Sequence, residues 1–383
     1  MADHRMTDEE LFARWQTRSI SRRGVMAGAA AAAFLAACSK EISPSGSTGA
    51  DPTTAPRVPD ELESELSVYN WAEYVHPKTY PQFEKEFGVT ITEDNFPSNE
   101  DALAKLQAGA RGYDLVVPTG YMVEIMIKEG LLFELDHSKI PNMSLIEDQY
   151  LDLPFDPGNR YSVPKDFGTT GYGYRSELVA EEMTSWEDFF KLAPKYSGRY
   201  SVLDSAPEVV GGALKMLGYS YNSIDTKEID EATAEIIKLK PHVRKITSSM
   251  RELLRTGEVY VSLTWNGEAT AVQAKAKDTK YVVPAEGSEV WTDNWSIVAG
   301  APHPAIAHKF IDWILDPKIQ AQEVSWNYYG SCVEGEEEFL DKAIFNDPAV
   351  YPPPEAAAKL EVAEATPEWL RLRNDAWTKF KAA

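Results

Sequence analysis

The chain has 383 residues, 43% of them hydrophobic and 26% charged, which is enough for a sizeable core and for two domains. Its formal net charge of −22 excludes the basic footprint that nucleic acid requires. The same balance is compatible with a cationic ligand, although solubility alone is the commoner reason for a high net charge.

In chain order the first feature is an export signal. Ser21-Arg22-Arg23 precedes a small apolar run over residues 24–37, with Asp3, Asp8, Glu9 and Glu10 upstream, the pattern of a twin-arginine leader. The run is too short to span a bilayer. It closes on Leu35-Ala36-Ala37-Cys38, which resembles a bacterial lipobox and implies removal of residues 1–37 and a lipid on Cys38. A plain apolar leader with an incidental cysteine is the alternative. Residues 39–62 are rich in Ser, Thr, Pro and Glu without apolar periodicity, so residues 38–65 are expected to form a flexible tether outside the membrane. Besides Cys38 the chain has only Cys332, which excludes a cysteine zinc cluster and leaves a structural disulfide without a partner.

From Leu66 onward, β-branched or aromatic runs alternate with helical patterns. Tyr80, Phe83 and Phe87 recur at helical spacing after Pro77, and Gly88 ends that helix. Residues 89–96 and 113–117 read as strands, and Ser98 with Asp101 caps the helix between them. Further strands are expected over 200–203, 259–264 and 281–283, with helices over 208–217, 227–239 and 269–276. Such alternation implies an α/β fold with parallel or mixed sheets covered on both faces. Residues 161–175 are apolar and Gly-rich without helical period. Their glycines fall at the wrong intervals for a phosphate loop and fit a strand between two lobes, with Gly168, Gly171 and Gly173 supplying hinge freedom. A second crossing is expected over 288–291.

In sheets of this kind ligands sit beyond the carboxyl ends of strands. The loops there carry Trp71, Glu73 and Tyr74; Thr119 and Tyr121; Asp204, Ser205 and Glu208; Trp265; and Trp291, Asp293 and Trp295. Four of these five loops hold aromatics, three hold acids, and none holds Arg or Lys. An ammonium group gains roughly 0.5 to 2 kcal/mol over an aromatic face and more at a carboxylate, so the set suits an elongated organic polycation. Each residue also has a plainer reading. The tryptophans serve equally as core, Ser205 with Glu208 forms a capping box, Asp293 suits a turn, and Thr119 suits a helix cap. Glu208 with Asp293 would also suit the acid and base of a glycoside hydrolase, but no metal-binding histidine pair or nucleophile elbow accompanies them. Cys332 lacks a basic neighbour in sequence and reads as an inert thiol. A purely structural lipoprotein remains a third class.

The blocks VYNWAEYVHP (68–77), YDLVVPTGY (113–121), SWEDFFKLAPKYSGR (185–199), LTWNG (263–267) and VWTDNWSI (290–297) resemble those of the spermidine/putrescine-binding protein family. These are extracytoplasmic receptors of ABC importers, and the likeness runs from about residue 66 to 330. It implies the type II periplasmic-binding-protein fold, two lobes with mixed sheets joined by a hinge, one lobe from 66–171 plus 291–337 and the other from 172–290 plus 338–383. It implies that Trp71, Glu73, Tyr74, Thr119, Tyr121, Glu208, Trp265, Trp291 and Asp293 line a polyamine cleft, with Tyr329 as a further wall. It also implies delivery to a membrane permease, no cofactor, no chemical step, and a monomer. Departures bear on the ligand. Ala72 stands where relatives often carry a hydroxyl, and Ser205 where spermidine binders usually have an acid, with Asp204 one residue earlier. No counterpart of a late polar contact is found over 367–380. Spermidine, putrescine, another organic cation and another small solute all remain open.

Overall fold

Residues 58–383 are described by the computed structural model, so the twin-arginine motif, the apolar run and the lipobox cysteine lie outside the described residues. Ten strands are formed within them: β1 (Glu65–Trp71), β2 (Thr90–Phe96), β3 (Leu115–Val116), β4 (Ser162–Arg175), β5 (Tyr200–Val202), β6 (Val243–Ile246), β7 (Val261–Trp265), β8 (Thr279–Val282), β9 (Val290–Ile297) and β10 (Gly330–Ser331). The strand order is β2-β1-β3-β9-β4-β7-β5-β6. β1 is parallel to β2 and β3, and β5 is parallel to β6 and β7, each through helical crossovers. β9 runs antiparallel to β3 and β4, which makes the sheets mixed.

β4 joins the two halves. Residues from Ser162 to Thr169 pair with β9, and residues from Thr170 to Arg175 pair with β7 and β8, so one strand serves both sheets. The chain returns at Glu289, whose carbonyl accepts the Thr170 N–H at 3.1 Å, and Glu361 pairs alongside it. The chain thus passes from one sheet to the other at Thr170 and lies beside that point again at Glu289. One core gathers Val68, Phe83, Leu115, Trp295, Ile297 and Phe310. The other gathers Tyr172, Trp186, Phe189, Val202, Leu214 and Ile236, and the C-terminal helix Pro367–Ala382 closes it with Trp377 and Phe380. Leu340 and Val350 pack on Ala321 and Val324 of the helix Pro317–Asn327.

Several local expectations hold. Gly88 ends its helix in the left-handed region at φ 70°, and the Ser98 side chain accepts the Asp101 N–H. Three need correction. The last part of the expected tether is docked: Val58 is buried, and the Glu63 carboxylate accepts the backbone N–H groups of Ala305 and Ile306 at the start of the helix Pro304–Ile314. Those unpaired N–H groups and the helix dipole attract a carboxylate, a local pull that composition does not reveal. The glycines of β4 supply space instead of backbone freedom, since none has a positive φ. A Cβ on Gly168 would stand 2.4 Å from the Trp291 ring, and one on Gly171 would stand 2.2 Å from the Val282 carbonyl. The Ser205-Glu208 capping box does not form either: Ser205 is the N-cap but its side chain caps nothing, and the Glu208 carboxylate accepts the Trp265 indole N–H instead.

Candidate functional site

Between the two halves lies a cavity of about 830 Å³. The side chains of Trp71, Glu73, Tyr74, Thr119, Tyr121, Asp204, Ser205, Glu208, Trp265, Trp291, Asp293 and Tyr329 all line it. Trp71 ends β1 and Trp265 ends β7, and their rings meet edge to face at 5.8 Å across the gap. Trp291 and Asp293 lie inside β9 and not after it. Because β9 is antiparallel to its neighbours, its starting residues face the cavity that the parallel strands reach with their ends. Tyr329 stands edge-on to Tyr74 at 5.5 Å and to Trp291 at 5.0 Å, a rigid aromatic wall. Trp295, two residues further along β9, is fully buried in the core of the first half.

One acidic end is built on Asp293, which is 4% exposed. It accepts the Thr119 hydroxyl at 2.7 Å and contacts the Tyr74 hydroxyl at 2.8 Å, while Tyr74 also reaches Asp166 at 2.5 Å. Asn99 donates to Thr119 and to Tyr121, tying the helix Asn99–Gln107 to this corner. Lys165 pairs with Asp166 and sits 3.5 Å above the centre of the Tyr74 ring. The protein's own ammonium thus compensates Asp166. Asp293 has no cation of its own, and burial, with Asp166 adding repulsion, pushes its carboxyl up to about 7.

The second acidic end is built on Glu208, whose Oε1 accepts the Trp265 indole N–H at 2.9 Å. Burial raises its carboxyl above the ordinary range. Glu289, immediately before β9, lies alongside and accepts the Tyr221 hydroxyl at 2.7 Å. Burial first, and then the nearby Glu208, hold Glu289 well above its ordinary value. Glu100 also reaches the cavity and takes the Tyr121 hydroxyl at 3.1 Å.

Glu73 is placed differently from the others. Its side chain is 71% exposed, its φ is +58°, and its carboxylate faces Arg251 of the opposite half at 3.4 Å. Arg251 is held more closely by Glu268, in a two-pronged contact at 2.6 and 2.8 Å. This cation comes from the helix Arg251–Thr256, outside the strand-end loops. Eight acids line the cavity against three cations, of which Arg251 and Arg255 are already paired with glutamates. Sequence reading missed Glu289, Glu100, Arg251 and the Lys165–Asp166 pair. The adjacency of a lysine and an aspartate on a buried strand was the one available signal. Among the described residues no cluster of metal ligands and no membrane-length apolar helix is present, and the Cys332 thiol is buried and pushed up by that burial.

Two α/β lobes joined by crossing strands, with an acid-lined aromatic cleft between them, define a solute receptor of the periplasmic-binding-protein type. The chain belongs to the bacterial extracellular solute-binding proteins, whose family model matches residues 78–352. It is 37% identical over 290 residues to the spermidine/putrescine-binding periplasmic protein of Escherichia coli, covering 75% of this chain and 83% of that one. Against the protein of the same description from Salmonella typhimurium it is 35% identical over 320 residues, covering 83% and 91%. Among solved structures, a putative spermidine/putrescine ABC transporter from Listeria monocytogenes superposes with a TM-score of 0.79 at 32% identity, covering 83% of this chain and 99% of that one. The family is one of solute carriers and not of enzymes.

Proposed function

We propose that the protein captures a di- or polyamine of the putrescine and spermidine class outside the cytoplasmic membrane and delivers it to the permease of an ABC importer, with no chemical step. The observation that carries this reading is the pairing of two acidic ends, Asp293 and Glu208, with the walls Trp71, Trp265, Trp291 and Tyr329 in one cavity. A flexible chain with an ammonium at each end finds a carboxylate for each charge and flat apolar faces for its methylenes. An anion would meet eight acids. The names of the relatives point to the same ligand class. The twelve cavity residues named from the sequence are the proposed ligand shell, with Glu73 at its rim.

The lobes follow as residues 66–171 with 291–337 and 172–290 with 338–383, closing on the ligand about the crossings at Thr170 and Glu289. Export through the twin-arginine leader and a lipid on Cys38 would hold the receptor, as a monomer, at the outer face of the membrane. Calorimetric titration with putrescine, spermidine, spermine, glutamate and glucose tests the reading. Amines are expected to bind and the others not. Binding of a sugar or an anion with no response to any amine would sink it. Ligand at one hundred times its dissociation constant should also stabilise the protein by about 2.7 kcal/mol in a thermal melt.

A further inference from the structure

Glu289 sits where the chain crosses between the lobes, and its side chain is 2% exposed yet lines the cavity. Tyr221 donates to its Oε2. Glu208 lies close to it and to the Thr170 hydroxyl, and Glu208 Oε2 is buried without a hydrogen-bond partner. The groups facing this pair from other elements are Glu100 and Tyr121 from the first lobe, Tyr281 from β8, Tyr221, and Arg373 from the C-terminal helix. Arg373 is the one cation among them. Its guanidinium is directed at the carbonyl oxygens of Tyr221, Ser223 and Trp369 and lies 3.9 Å from the centre of the Trp369 ring, making a hydrogen bond to neither carboxyl. Burial holds it down at about 10.

Resting on the polyamine reading, we propose that Glu289 is a second ligand-binding carboxyl, and that Glu208 and Glu289 together hold one terminal ammonium group of the amine. Two buried carboxyls in contact do not both ionise without a cation, so the empty pair shares one proton and carries one negative charge. An arriving ammonium supplies the missing cation. It donates to both carboxylates, including the unpartnered Glu208 Oε2, and the shared proton leaves to solvent. The balance is one ammonium bound and one proton released, with no bond made or broken on the ligand. Burial, which raises both carboxyls, and the nearby Glu208, which raises Glu289 further, set up this exchange.

The experiment is titration of the purified protein with putrescine and with spermidine at pH 7, by calorimetry in two buffers of different ionisation enthalpy, for the native chain and for Glu289→Gln. The native chain is expected to release about one proton per amine more than the variant, and the variant to bind about tenfold or more weakly, as for loss of a charge-assisted hydrogen bond. Glu208→Gln should also release fewer protons than the native chain, because it takes away one carboxyl of the pair and the repulsion that raises Glu289, and it decides the matter should Glu289→Gln fail to fold. Native-like affinity and proton release in Glu289→Gln would show Glu289 to be a permanently protonated neighbour and overturn the proposal, leaving the polyamine reading intact. A native chain that binds no amine removes the polyamine reading itself.

Discussion

Lowering the pH from 8 to 6 should weaken amine capture through Asp293, and the size of the effect follows from its environment. An ammonium needs the carboxylate form. With a carboxyl at about 7, the ionised fraction of the empty protein falls from roughly nine tenths at pH 8 to roughly one tenth at pH 6. This lowers the apparent affinity about tenfold, or about 1.4 kcal/mol. Dissociation constants for putrescine measured by calorimetry at pH 6, 7 and 8 should therefore fall more steeply with pH in the native chain than in Asp293→Asn, by that factor. The Glu208–Glu289 pair adds a pH dependence common to both proteins, so the difference isolates Asp293. At pH 8 the variant should bind roughly 10- to 150-fold more weakly, the range for a hydrogen bond to a charged group. The empty protein responds in the opposite sense. Asp293 holds its proton more tightly folded than unfolded, so its contribution to stability is complete below about pH 4 and is lost as pH rises through 7. Three pH units correspond to at most about 4 kcal/mol, so ligand-free Asp293→Asn should melt higher than the native chain at pH 8. Equal pH slopes in the two proteins, or a variant that melts lower at pH 8, would refute this account of the site.

Glu73→Gln should change putrescine affinity less than about fivefold, because an exposed ion pair of this kind is worth about 1 kcal/mol at most. A larger loss in the same titration would mean that Glu73 leaves Arg251 to hold the ligand. Trp265→Phe keeps an aromatic wall but removes the N–H that Glu208 accepts, and calorimetry should show about tenfold weaker binding with an unchanged circular dichroism spectrum. Gly168→Ala should destabilise the protein by about 1 to 3 kcal/mol, read as a lower melting temperature, because the new methyl collides with both the Trp291 indole and the Asn266 side chain. The same substitution should blunt any tryptophan fluorescence change on adding amine, since Trp291 no longer sits in its wall position.

Much of the cleft was legible because the rule for it is topological. Parallel strands of an α/β sheet point their carboxyl ends at one rim, so Trp71, Thr119, Asp204 and Trp265 could be read off the ends of four runs. Trp291 and Asp293 were reached by a boundary placed too early, since β9 is antiparallel and begins at the rim. Glu289 was passed over for the same reason: in a strand that starts at the cleft, the residue before the strand is the one to examine. Arg251 and Glu100 come from helices that no strand rule covers. Lys165 and Asp166 lie on β4 with every neighbouring position buried, a pattern that gives apolar and polar residues no alternation to betray which face they occupy. The missing acid at Ser205 was counted as a loss in sequence, whereas in space Glu289 adds a carboxyl to the same cavity from elsewhere in the chain.

The treatment of charge explains how so acidic a cleft can stay folded while empty. Eight carboxylates around one cavity would repel one another in a medium of low dielectric, and a buried carboxylate without a cation carries a large desolvation penalty. The structure answers in two ways. Glu268 on the cavity wall, and Asp166 outside it but sharing the Tyr74 hydroxyl with Asp293, have permanent cations in Arg251 and Lys165. Asp293, Glu208 and Glu289 have none, and burial raises all three carboxyls, which favours a proton in place of a cation. On the proposed reading the first group is fixed scaffold, and the second would be exchangeable, trading a proton for an ammonium without a net change of buried charge. That division assigns selectivity to the second group. A neutral solute offers nothing to exchange, an anion meets carboxyls that only repel it, and a cation too short to reach from Asp293 to the Glu208–Glu289 pair can displace protons at one end only. On this argument a monoamine such as butylamine should release fewer protons than putrescine in paired-buffer calorimetry and bind more weakly, and equal release by the two would contradict it.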